Sequence, residues 1–233
     1  MSVFFTRRGK AAPRGPELLD NFADNPWENI IWACQTGNVP DTWTVASQKP
    51  MPINGTNYPV DIIGLNHDDY ADGSGKAPIT FQMHNSYGTK YAMNSSATNS
   101  GGWTSCVMRN TTLPAILALM PSEVQAAIRE VNKLTSAGGG SSTINTTADK
   151  LFLLSEVEVF GSVASSKSGE GSYYAYYSAG NSTQKLCGGS SYGWWWRSPV
   201  GSNTANFCRS DTNGNKGTAS AEKTYGVAFA FCF

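Results

Sequence analysis

Residues 193–233 read GWWWRSPVGSNTANFCRSDTNGNKGTASAEKTYGVAFAFCF, and no fold can treat all parts of that string alike. The three consecutive tryptophans and the run from Val227 to Phe233 demand burial, whereas the Asn, Ser, Thr and Gly positions between them are too small and polar to fill a core. The segment predicts strands laid on an aromatic core with a polar face turned to water. In an extended strand Trp194 and Trp196 share one face and Trp195 takes the other. Burying all three requires strand layers and loops on both sides; otherwise Trp195 is a surface or subunit contact. Arg197 is expected to pair with a buried carboxylate or to stack on a tryptophan. Phe207 should point inward with Asn206 and Cys208 opposite, and Asn213-Gly214 is a hairpin-turn signal.

A chain of 233 residues, 40% hydrophobic and 12% aromatic, can bury a substantial core in one large domain or two small ones. Seventeen basic residues balance seventeen acidic ones, so no net field favours nucleic acid or an anionic membrane, and neither is expected as a partner. The five cysteines, Cys34, Cys106, Cys187, Cys208 and Cys232, are scattered without a CxxC pair, which argues against a disulfide framework or zinc site and for a reducing site of folding. No stretch reaches the length of an apolar transmembrane span. The start, MSVFFTRRGK, lacks the order of a secretory signal, so the expectation is a chain made in the cytoplasm that leaves by lysis or within a particle.

Residues 1–24 combine Arg and Lys with Pro and little periodicity, and read as an extended docking arm. Residues 27–37 predict a short helix capped by Asn25 and ended by Gly37. A strand is expected at Trp43 to Val45, a turn at Asn54-Gly55-Thr56, a second strand from Tyr58 to Leu65, and a half-buried strand in ITFQMHNS, residues 79–86. Residues 25–100 thus form a β-rich part. In LPAILALMPSEVQAAIREVNKL, Ser122 and Gln125 suggest a capping box, and Val124, Ala127, Ile128, Val131 and Leu134 one helical face. SAGGGSSTINTTAD reads as a loop, Leu151 to Leu154 as a buried strand, and Ser155 as the cap of a short helix.

Little in the chain supports catalysis or metal binding. Its two histidines, His67 and His84, sit in no metalloprotease motif, and there is no G-x-S-x-G elbow or phosphate loop. Asp211, Asn213, Asn215, Gly217 and Glu222 fall at ligand positions of a would-be calcium loop, but Lys216 stands where glycine is required and Ala219 at a further ligand position. HDDYADG, residues 67–73, reads as a solvated turn. No metal and no cofactor is expected.

The order of landmarks, a helix ending in IREVNKLT, then DKLFLLSEVEVFG, a tyrosine-rich stretch, WWWRSP and GVAFAFCF, resembles a domain family of phages and prophages of Gram-positive, mostly gut, bacteria. TWTVASQKPMPINGTNYPVDIIGLNHD is similar to that family's N-terminal half, so the resemblance spans roughly residues 25–233. Two departures stand out: Trp196 replaces the usual Leu of W-W-L-R-S-P, and Ala228-Phe229 the more common Arg-Pro. The resemblance implies an α+β, C-type-lectin-like fold with short antiparallel strands, short helices and long loops, in which residues 101–233 carry a C-terminal ligand-display region. It further implies a virion protein among tail and baseplate components, of a kind whose variable end is sometimes diversified by retroelements.

On that reading the chain is not an enzyme but displays a surface for host attachment. Tyr192, Trp195, Asn203, Asn206, Arg209, Asp211, Asn213, Asn215 and Tyr225 are the expected ligand-binding residues, because Asn and Ser give adaptable hydrogen bonds and Tyr gives contact area. Phe4, Phe5, Arg7, Arg8 and Arg14 would dock the arm on other virion proteins. The ligand would be a host-surface glycan or protein, and a homo-oligomer is expected. The competing readings are a purely structural capsid or tail decoration protein and, more distantly, a glycan-active enzyme. The oxidase chemistry of some C-type-lectin-like proteins draws attention to Cys208 and Cys232.

Overall fold

The computed structural model describes residues 15–233; Phe4, Phe5, Arg7, Arg8 and Arg14 lie outside that range. The helices are α1 (Trp27–Thr36), α2 (Gly102–Ser105), α3 (Leu113–Leu117), α4 (Ser122–Ala127), α5 (Glu156–Phe160) and α6 (Ala175–Ser178). The strands are β1 (Gln48–Ile53), β2 (Thr56–Leu65), β3 (Ile79–Met83), β4 (Val131–Ser136), β5 (Ile144–Asp149), β6 (Lys185–Cys187), β7 (Ser190–Tyr192), β8 (Trp195–Pro199), β9 (Asn206–Ser210), β10 (Lys216–Ser220) and β11 (Ala230–Cys232). The fold is α+β, with small antiparallel sheets ordered β1-β2-β3-β11, β10-β9-β8, β4-β5 and β6-β7.

Local chemistry explains several of these elements. Asn54 and Gly55 both take left-handed backbone (φ 48° and 75°), the geometry of a two-residue hairpin turn, and set Ile53 opposite Thr56. β1 carries Pro50 and Pro52, which a sheet accommodates at an edge, and β1 is an edge strand. Gly37, at φ 70°, ends α1 as expected. Ser155 caps α5 through a reciprocal capping box with Glu158.

Other expectations need correction. Asn25 does not cap α1, whose N-cap is Pro26; its buried amide turns back to bond the Leu19 backbone N–H and C=O and the Asn21 carbonyl. Trp43 to Val45 is irregular chain, and the strand begins at Gln48; the Trp43 indole instead donates to Leu19 O at 3.0 Å. β3 is buried along its whole length because β2 and β11 flank it. The long helix expected through Leu134 stops at Ala127, without a Ser122 side-chain cap, and Val131 and Leu134 belong to β4. β5 occupies part of the expected loop SAGGGSSTINTTAD and pairs with β4 from Val131↔Asp149 to Ser136↔Ile144.

The C-terminal strand closes the sheet begun by the first strands: β11 pairs with β3, and Phe152 bridges Ala230. One hydrophobic cluster runs through the described chain and contains all three tryptophans. Trp194 and Trp196 share a face, their rings 5.9 Å apart and edge-on, while Trp195 takes the other, against Tyr225. Each is fully buried, so Trp195 is no surface contact: Tyr225 packs on its ring, and its indole donates to Tyr91 O at 2.8 Å.

Candidate functional site

Two polar constellations stand out, and they differ in how fully their groups are satisfied. The first is buried. Lys133 of β4 points its ammonium at Asp68 Oδ1 (2.7 Å), Glu158 Oε1 (2.8 Å) and the Tyr174 hydroxyl oxygen (3.2 Å). Glu158 also receives Arg197 through both oxygens, at 2.5 and 2.8 Å, and Arg197 donates further to Thr135 Oγ1, Leu153 O and Glu170 O. Asp68 takes hydrogen bonds from Thr80 and Tyr174 besides Lys133. Burial alone would raise the Asp68 carboxyl, but the Lys133 charge and the hydrogen bonds from Lys133 and Thr80 outweigh it and hold it at about 2. At Glu158 burial is likewise overcome by Arg197 and Lys133, and the carboxyl is lowered.

The expectation of a solvated turn at residues 67–73 holds for Asp69, Asp72 and Gly73 but not for Asp68, which is buried in this alternating row of charges, or for Tyr70. The row also fulfils the expectation for Arg197, whose partner is Glu158. Asp68, Lys133 and Glu158 of the row line an open cleft of about 370 Å³ that includes His67, Asn132 and Ser172. His67 stacks on Tyr174 at 3.9 Å between centroids, and its Nε2 lies 3.3 Å from Ser172 Oγ. Lys133 has an acceptor for each of its three protons, and each carboxylate oxygen has a donor. Groups so committed hold elements together and leave nothing with which to grip a ligand. Glu170, raised by burial, bonds Ser198 and the Ser136 N–H, and Glu156 gathers the N–H groups of residues 164–166; both serve in the same way.

The second constellation is half-exposed and built on β7, β9 and the connections that carry Lys90, after β3, and Tyr225, before β11. Tyr192 and Tyr225 lie 5.9 Å apart at 43°. The Lys90 ammonium sits 3.5 Å from the Tyr192 ring centroid, and the Arg209 guanidinium 4.4 Å from that of Tyr225. Beneath them Trp195 meets Tyr225 edge-on at 4.9 Å. Reciprocal backbone bonds between Tyr91 and Tyr225, both 3.0 Å, fix the floor, and Gly226 N to Gly193 O (2.9 Å) continues it. Gly193 permits this approach: a Cβ there would lie 2.5 Å from Ser210 O and 3.0 Å from Arg209 Nη1. Arg209 uses Nη1 on Ser210 O, while its Nε finds no acceptor.

Of the residues expected to bind ligand, the structure brings Tyr192, Arg209 and Tyr225 together over Trp195 and adds Lys90, which the sequence did not single out. Asp211, Asn213 and Asn215 lie in the adjoining β9–β10 loop, where Asp211 is occupied: its Oδ1 accepts from Asn213 N and Asn215 N, and its Oδ2 from Asn215 Nδ2. Asn213 has no left-handed backbone; Gly214 takes that conformation, at φ 85°. Asn206 is at the far end of β9, about 10 Å from Arg209 at the rise of a strand, and Asn203 lies in the turn before it. There the buried Asn99 amide donates to the carbonyls of Val200, Asn203 and Asn206. Cys208, expected outward with Asn206, is buried. Among the described residues no group of three His, Cys, Asp or Glu side chains is placed to hold a metal.

All five cysteines are free and buried. Burial pushes Cys34 and Cys106 up to about 12 and Cys208 and Cys232 well above their ordinary value, so the thiols stay protonated. Cys208 faces Thr218 across β9–β10, whereas Cys232 pairs with Thr80 in another sheet. No helix among the described residues is long and apolar enough to cross a membrane.

A family described as a domain of unknown function, DUF6273, matches residues 77–233, and the chain belongs to that family. The matched region contains the half-exposed group from Lys90 to Tyr225 and, of the buried row, Lys133, Glu158 and Arg197 but not Asp68. No curated protein and no solved structure matches the chain.

Proposed function

We propose that the chain is a virion protein of a phage or prophage tail whose C-type-lectin-like domain displays a recognition face for attachment to the host-cell surface, without turnover. The observation that carries this reading is the cation-flanked tyrosine pair Lys90–Tyr192–Tyr225–Arg209, the half-exposed group of aromatic and charged side chains held on a rigid floor. Paired aromatic rings with polar tips give large contact area at low entropy cost, and guanidinium groups are enriched at binding hot spots. The lectin-like reading of the fold is supported by small antiparallel sheets, short helices and long connections, together with the order of sequence landmarks. Leu18 and Phe22 pack in the domain's own core, which shortens the expected arm of residues 1–24; in the particle residues 1–14 contact a neighbouring virion protein, and the domain acts as a homo-oligomer.

The test is adsorption of the purified protein to a panel of Gram-positive gut bacteria, with thermal melting of every variant alongside. Tyr192→Ala should abolish adsorption to the strains that bind while leaving a folded domain. If the face instead packs against a sister subunit, as a decoration protein requires, Tyr192→Ala will change assembly and leave adsorption intact.

A further inference from the structure

Resting on that reading, we infer that the face takes an anionic polymer, one that carries carboxylate or phosphodiester groups on a polyol or sugar backbone. Lys90 and Arg209 bracket the tyrosine pair from either end, and neither makes an ion pair with any described carboxylate. Residues 1–14 contain no Asp or Glu. The nearest carboxyl on the same elements, Asp211, is held below its ordinary value first by the Asn215 backbone N–H, with the Arg209 charge a lesser cause, and its oxygens are taken up by the loop. A third positive group, Lys185, is buried behind the face, over the Trp194 ring, with its protons on Met83 O and His84 O.

The contrast with the buried row is the physical argument. There, Lys133 and Arg197 each find carboxylate; here the exposed Lys90 and the half-buried Arg209 lie on aromatic rings without one. A charged ligand group between Lys90 and Arg209 would receive charge-assisted hydrogen bonds, and the rings of Tyr192 and Tyr225 would meet the flat C–H faces of its backbone.

The experiment measures binding of the full chain to three soluble polymers: polygalacturonate for the carboxylate, a poly(glycerol phosphate) for the phosphodiester, and dextran as the neutral arm. At least one anionic polymer should bind and dextran should not. Lys90→Gln and Arg209→Gln should each weaken binding about tenfold or more, as expected for a hydrogen bond to a charged group. Raising salt from 0.05 to 0.5 M (about a threefold shorter screening length) should weaken it further. Lys76→Gln, which removes a cation paired with Asp69, should change nothing. Binding to dextran as strong as to the anionic polymers, or to none of the three, overturns the anionic class. So does a binding strength that survives both Gln variants. In each of these cases cell adsorption that still depends on Tyr192 leaves the recognition face standing, whereas adsorption indifferent to Tyr192 removes that reading as well.

Discussion

Replacing Lys133 by Met keeps the length of the side chain and deletes one positive charge from between two buried carboxylates. In the native protein Asp68, Lys133, Glu158 and Arg197 alternate in sign and are each almost wholly buried. Removing one partner of a buried pair typically costs about 3–5 kcal/mol, because the remaining charge keeps its desolvation penalty. Glu158 retains Arg197, so the orphaned charge is Asp68, left with only the hydroxyls of Thr80 and Tyr174. Its carboxyl, held at about 2 in the native protein, must then rise. A carboxyl depressed from 3.8 to about 2 contributes about 2 kcal/mol of stability that is complete above pH 4 and lost as pH falls through 2. In the variant the native state takes up a proton on Asp68 that the unfolded chain holds less tightly, so the penalty shrinks as pH falls. Urea unfolding should show Lys133→Met less stable by about 3–5 kcal/mol at pH 7 and by clearly less at pH 3, with Asp68→Asn on the same background recovering part of the loss. A loss below about 1 kcal/mol, or one of equal size at both pH values, would refute the account of this row as a coupled structural unit.

Gly193→Ala should destabilise by about 1–3 kcal/mol, as an overpacked site does, because its Cβ meets Ser210 O and the Arg209 guanidinium; thermal melting reads this, and an unchanged midpoint would show the floor is looser than described. Phe152→Ala, at a fully buried ring under Lys133, should cost about 3–5 kcal/mol, and a melting curve shifted by under a degree would contradict its place in the core. Asp211→Ala should be measurably destabilising through lost turn hydrogen bonds, whereas Asn213→Ala should stay within about 0.5 kcal/mol, so chemical denaturation should separate the two. Removing residues 1–14 should leave a domain that melts like the full chain yet fails to enter particles; a longer cut also removes Leu18 and Leu19, which pack on and bond the domain, and so confuses docking with folding.

What the sequence reveals of this fold follows how local each determinant is. The Asn54-Gly55 turn, the Gly37 stop and the Ser155–Glu158 capping box are written within a few residues and stand as expected. The extension of α4 through Leu134 failed because β4 turns Lys133 inward, and an inward lysine erases the alternation that marks a strand. Its burial depends on Asp68, 65 residues earlier, a pairing that no window on the sequence contains. β5 hides for the same reason, since its inward residues are Thr147 and Asp149. Within the half-exposed tyrosine group, Tyr192, Arg209 and Tyr225 are legible as polar and aromatic residues around a tryptophan strand. Lys90 is not, because only the folded chain brings it over Tyr192.

The most direct measurement of the central claim is a map of amide and indole NMR shifts of this 25.0 kDa chain on titration with solubilised surface polysaccharide from a strain that adsorbs it. The account predicts perturbations at residues 89–92, 190–193, 209–211 and 224–226 and at the Trp195 indole, with residues 132–134 and 169–172 of the charged cleft unmoved. Perturbations confined to that cleft, or none at saturating polysaccharide, would contradict it.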